Sequence, residues 1–158
     1  MKKISINLKI NKGEILNELT RRSSYTALSL SPTQGHDDGT IDKIVLSSDE
    51  YPWCNDKFKM LFYKLRDILM PFSSVGDEFA FENETEFCFK LTLSANTQDS
   101  VLHYLKEIII NYILSQWFSE RLYDKSTYLS MQCDNMITLL RMTLNRTLGK
   151  VRRPTNYF

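Results

Sequence analysis

Apolar and polar residues alternate at two different periods along this chain, and each change of period marks an element. Ile4, Ile6, Leu8 and Ile10 alternate with Ser5, Asn7 and Lys9, the two-residue period of a half-buried strand over 3–10. Lys12-Gly13 predicts a break. From Glu14 to Arg22 the residues Ile15, Leu16 and Leu19 share one side, which predicts a short helix. The pattern is weakest over 23–42. Ser-Pro-Thr-Gln-Gly-His-Asp-Asp-Gly-Thr at 31–40 is turn chemistry and predicts a mobile loop, and Asp42 to Leu46 predicts a short strand.

Beyond it, Ser47-Ser48-Asp49-Glu50 has the oxygen acceptors and acids that suit a helix start. Phe58, Leu61, Phe62, Leu65, Ile68 and Leu69 follow at helical spacing, so a helix is expected from Asp49 to Met70, ended by Pro71. Phe79 and Phe81, then Phe87, Phe89, Leu91 and Leu93, alternate on either side of Glu82-Asn83-Glu84-Thr85-Glu86, a β-hairpin pattern. Its second face carries Cys88, Lys90, Thr92 and Ser94 and predicts a wetter side. Asn96-Thr97 should cap a helix running to about Leu122. Its stripe is Val101, Leu102, Leu105, Ile108, Ile109, Tyr112, Ile113 and Trp117, widened by Ile110, Leu114 and Phe118. A helix apolar on so much of its circumference is central or touches a second chain. The last helix starts at Asp124 or Ser126 and carries Leu129, Cys133, Met136, Ile137, Leu140, Leu144 and Leu148, with Gly149 suited to the position just past its end. The short break between the last two helices predicts an antiparallel pair.

The fold expected is therefore α+β and helix-dominated. It has two long C-terminal antiparallel helices, one central helix and a small antiparallel sheet or hairpin. A length of 158 residues predicts one domain, over 1–150, followed by a C-terminal arm over 151–158. Hydrophobic content of 42% and charged content of 25% are ordinary for a globular chain. Cys54, Cys88 and Cys133 are scattered and odd in number, which predicts reduced, buried thiols and a cytosolic origin. The opening Met1-Lys-Lys followed by strict alternation predicts no secretory leader, and no apolar run reaches the length of a membrane span.

Charge changes the picture at one end. Arg141, Arg146, Lys150, Arg152 and Arg153 are the only charged residues after Asp134. The rest of the chain holds the other 15 basic residues against all 19 acidic ones. An acidic body with a basic, aromatic-tipped end predicts a subunit that hooks a neighbour. Arginine and aromatic residues are enriched in interface hot spots, arginine pairs with carboxylates and ring faces, and Pro154 stiffens the segment. Partner binding is therefore assigned to Arg152, Arg153, Pro154, Asn156, Tyr157 and Phe158. The same basic stretch makes contact with nucleic-acid phosphates an alternative reading.

No catalytic constellation is apparent. His36 stands beside Asp37 and Asp38 within turn chemistry, and the spacing fails a calcium loop. His103 and Glu107, one helical turn apart, read as a surface pair. Glu82, Glu84 and Glu86 read as a solvated turn that discourages edge pairing. The five glycines form no phosphate-binding loop, and there is no nucleophile elbow or zinc pattern. No enzyme activity, cofactor or metal is expected.

Several segments together carry a resemblance. They are Ser24-Tyr25-Thr26, the Gly/Asp-rich loop, Asp-Glu-Tyr-Pro-Trp at 49–53, the Phe-rich hairpin, Ile-Leu-Ser-Gln-Trp-Phe at 113–118, and Leu-Gly-Lys-Val-Arg-Arg-Pro at 148–154. In order, they resemble small neck or head-to-tail connector proteins of tailed phages and prophages of Bacteroidetes-type hosts. The resemblance implies a virion protein made in the host cytoplasm. It would form a ring of copies and send its terminal arm to the portal or to neighbouring neck and tail proteins, with non-specific contact to packaged DNA as a further expectation and no membrane. It also implies that the 31–40 loop contacts a neighbour or lines a channel. A tail-completion or terminator protein and a nucleic-acid-binding regulator of a mobile element are the alternatives.

Overall fold

The computed structural model describes residues 3–30 and 42–147. Strand β1 covers Lys3–Asn11, with the expected alternation of exposed and buried side chains. It passes straight into helix α1, Lys12–Ser29. The expected break at Lys12-Gly13 is absent because Asn11 caps the helix: its side-chain oxygen accepts the Glu14 N–H at 3.2 Å. A side chain at position 13 would bring its Cβ within 3.0 Å of that oxygen, so Gly13 leaves room for the cap.

α1 also runs seven residues past the short helix expected from the apolar pattern. Ser23, Ser24, Thr26 and Ser29 turn their hydroxyls back to carbonyls three or four residues earlier, at 2.7–3.0 Å. The hydroxyls that weaken the apolar pattern here are thus satisfied within the helix, while Ser23 and Ala27 continue the buried face of Ile15 and Leu19.

Residues 42–46 form no strand, contrary to expectation. Ile44 and Leu46 are buried, but side chains satisfy the local backbone instead of a ladder. Ser23 Oγ accepts the Leu46 N–H at 2.9 Å, Trp117 Nε1 donates to the Ile44 carbonyl at 2.7 Å, and Arg121 Nε donates to the Lys43 carbonyl at 2.9 Å. A 3-10 turn, Ser48–Glu50, leads into helix α2, Tyr51–Leu69, with Pro52 in its first turn and another 3-10 turn, Met70–Phe72, at its end. Gly76, at φ +66°, reverses the chain in a conformation that glycine adopts without strain.

Strands β2 (Ala80–Glu82) and β3 (Glu86–Ser94) form the expected hairpin. The Asn83 side chain closes its turn by accepting the N–H groups of Thr85 and Glu86. The sheet order is β1-β3-β2, antiparallel throughout, with β1 matched to β3 from Lys3↔Ser94 to Asn11↔Glu86. One face places Ile6, Leu8, Ile10, Phe87, Phe89, Leu91 and Leu93 in the core. On the other face Cys88 and Ser94 are nevertheless buried.

Helices α3 (Gln98–Phe118) and α4 (Tyr123–Thr147) complete the fold. They are antiparallel, as expected. Ser126 Oγ reaches the Ser115 carbonyl and Cys133 Sγ the Ile108 carbonyl, so positions advance on one helix as they recede on the other. The expected side-chain cap at α3 is absent, because the Thr97 hydroxyl donates back to the Ser94 carbonyl at 2.8 Å. The architecture is α+β and helix-dominated, with a small antiparallel sheet. α3 is its centre, buried from Val101 to Phe118 on nearly every side. No described helix is long and apolar enough to cross a membrane.

Candidate functional site

The residues assigned to partner binding, Arg152, Arg153, Pro154, Asn156, Tyr157 and Phe158, lie outside the described residues. So do the loop at 31–40, with His36, Asp37 and Asp38, and the expected helix stop at Gly149.

The expected His103–Glu107 pair does not form. His103 is exposed and lies against Tyr104, with ring centroids 5.9 Å apart. Glu107 faces α1 instead, where Arg22 holds it with two hydrogen bonds at 2.7 and 3.0 Å. Arg22 also donates Nε to Glu18 at 2.7 Å, and Arg21 grips the same carboxylate at 2.7 and 2.9 Å. Hydrogen bonds from Arg21 and then Arg22 hold the Glu18 carboxyl down at about 2, against the opposing effect of burial. This ladder ties α1 to α3. The Glu18–Arg22 half of the ladder was legible in the sequence, since the two stand one turn apart within the expected helix, whereas the link to Glu107, 85 residues away, was not.

The hairpin carboxylates separate. Glu86 meets Lys9 at 3.5 Å at the surface, and Glu84 is exposed. Glu82 is no part of a solvated turn: it pairs with the Nζ of Lys12, a lysine only 4% exposed. That ammonium also lies 5.0 Å from the centroid of the Phe87 ring and 5.7 Å from that of Phe58, where the negative ring faces add to the carboxylate. The Lys12 N–H donates to the Thr85 carbonyl at 2.8 Å, so one residue pins the start of α1 to the hairpin turn twice. Removing one member of such a buried pair strands the other charge, which typically costs about 3–5 kcal/mol.

The three thiols are free and buried. Burial pushes Cys54 up to about 12 and Cys133 up to about 11. Burial, assisted by Glu86, pushes Cys88 up to about 11. None is poised as a nucleophile. Among the described residues no three potential metal ligands gather.

Two adjoining clefts lie beside α1 and α4, and α3 residues also line the first. One, of about 430 Å³, is lined by Arg22, Tyr25, Glu107, Asn111, Tyr128 and Met136, among others. The next, of about 400 Å³, includes Leu30, Leu122 and Tyr123. They hold no base paired with a nucleophile.

The most distinctive surface is the outer side of α4. Tyr128, Met131, Leu139 and Met142 are exposed by 54%, 61%, 39% and 49%. At about 100° per residue these four, with Asn135 among them, fall within an arc of roughly 80°. The core-facing Leu129, Cys133, Ile137, Leu140 and Leu144 lie on roughly the opposite side. α4 is thus apolar on two faces, and the described residues cover only one of them. The periodicity that revealed the inner stripe concealed the outer one, because a single amphipathic face was sought.

Comparison with protein-family models, with curated proteins and with solved structures finds no match to this chain.

Proposed function

We propose that this chain is a non-enzymatic assembly subunit whose α4 packs its outer face against another copy. Following the resemblance carried by its sequence, we assign it as a neck or head-to-tail connector subunit of a tailed-phage virion. One observation carries the assembly reading: the stripe Tyr128, Met131, Leu139 and Met142, with Tyr128 at its cleft edge, which the described residues leave exposed on the far side of α4 from the core. Tyrosine and methionine are enriched at interfaces, and four such side chains in register along one helix match the spacing by which helices pack on one another. Packed head to tail, so that this face meets a different surface of the next copy, such contacts close into a ring when the rotation suits. The basic segment 151–158 supplies the second contact, its arginines suited to the carboxylates of an acidic neighbour.

Two variants test the reading. Met131→Glu combined with Met142→Glu should leave the fold intact by circular dichroism and abolish ring-sized species in light scattering and negative-stain images. Deleting residues 151–158 should leave the folded subunit able to self-associate but unable to join its portal or neck partners in a virion assembly assay. Rings of normal size from the double variant would defeat the assembly reading. Normal virions from the truncated chain would defeat the role given to the arm.

A further inference from the structure

β1 is a nine-residue strand at the edge of the sheet and, among the described residues, is bonded to β3 on one side only. The Lys12 N–H bond to the Thr85 carbonyl continues the β1–β3 register two residues past Ile10↔Phe87. Hydrogen-bonded and non-bonded pairs alternate along an antiparallel ladder. Ile4, Ile6, Leu8 and Ile10 therefore turn their backbone groups toward β3. Lys3, Ser5, Asn7, Lys9 and Asn11 turn theirs outward, and the side chains of all five are exposed. No described residue bonds to these outward groups, apart from the contribution of Asn11 to the start of α1. The opposite edge, β2, is only three residues long.

We propose that β1 pairs antiparallel with β1 of a second copy, with Asn7 on the two-fold axis, joining the two sheets into one. The strand's own sequence selects this register. Centred on Asn7, the pairing sets Ser5 against Lys9 and Lys3 against Asn11, all of them outward-bonding residues, so each of these pairs, with Asn7 against itself, is of the bonded kind. The other face aligns Ile4 with Ile10 and Ile6 with Leu8, which continues the apolar row of the core across the junction. No lysine opposes a lysine. Centring on Ile6 would set Lys3 against Lys9, and centring on Leu8 would run Lys3 and Ile4 past the strand's end. An open edge takes an added strand through main-chain bonds, and side chains fix its register. This contact does not depend on the α4 face. A two-fold junction through β1 would join two rings built through α4 back to back.

The experiment uses the full chain and, to remove the α4 contact, the Met131→Glu/Met142→Glu variant. Single cysteines report the register. In a bonded antiparallel pair the Cα atoms stand about 5.5 Å apart, within disulfide range. Asn7→Cys should therefore yield a covalent dimer on mild oxidation, whereas Ser5→Cys should not, and the three buried native thiols do not compete. Placed in the Met131→Glu/Met142→Glu variant, the parent chain for this comparison, Asn7→Pro removes an outward N–H that the monomer does not use and should give a folded monomer by sedimentation at about 100 µM, where that parent is dimeric. Should Asn7→Pro unfold, Ser5→Lys, which sets like charges across the axis, should weaken the dimer about tenfold or more, the effect of about 1.4 kcal/mol. Equal cross-linking at positions 5 and 7, a parent chain that is monomeric at that concentration, or a dimer indifferent to Ser5→Lys would each overturn the proposal.

Discussion

Helices α3 and α4 lie side by side, are of similar length and are both rich in large apolar residues, yet they spend those residues differently. α3 is buried on nearly its whole circumference, because the sheet, α1, α2 and α4 surround it. Even its polar members, Asn111 and Ser115, are about 95% covered. α4 covers α3 with one face and presents a second apolar face to solvent. The first helix is explained by its own chain. The second carries more apolar surface than the described residues cover, which is the feature the assembly proposal rests on.

That contrast is sharpest where α3 is cut. Leu105→Ala, at a position with no exposure, should lower unfolding stability by about 2–5 kcal/mol through lost burial and an unfilled cavity, measured by urea titration. A loss below about 1 kcal/mol would show α3 to be less central than its enclosure implies. The seam between α1 and α3 should respond to acid. Glu18 has a folded carboxyl lowered to about 2, so its ladder stabilises the fold above the ordinary carboxylate range. That contribution fades as pH falls from about 4.5 toward 2. Replacing Arg21 and Arg22 with Gln should flatten the stability profile across that window in thermal melts, and an unaltered profile would refute the assignment. The smallest effect is expected on α4. Met131→Glu and Met142→Glu should each change the stability of the isolated subunit by no more than about 0.5 kcal/mol, although together they are expected to abolish ring-sized species. A large loss of stability would mean that the outer face is covered by its own chain.

Much of this arrangement was legible in the sequence, because it rests on local period. The alternation of Ile4 to Ile10 and of Phe87 to Leu93 marked two strands of the sheet, and Pro71 fell where α2 gives way to a 3-10 turn. What was missed depends on partners distant in the chain. Ser23 to Ser29 shows no clear pattern until its hydroxyls find carbonyls one turn back and Ser23 meets the Leu46 N–H. Ile44 and Leu46 read as strand until Trp117 and Arg121 take up the neighbouring carbonyls. The pairings of Lys12 with Glu82 and of Arg22 with Glu107 span 70 and 85 residues, and no spacing rule reaches that far. The outer stripe of α4 was visible as letters, but it gained meaning only when the inner face was seen to be already occupied.

The buried cysteines give the molecule an internal clock. Cys54 sits on α2, Cys88 on the central strand and Cys133 on α4, three separate layers whose thiols are held far from the reactive thiolate form. An alkylating reagent can therefore reach each sulfur only when its own layer loosens. The order in which the three are tagged at equilibrium would rank the layers by how often they open.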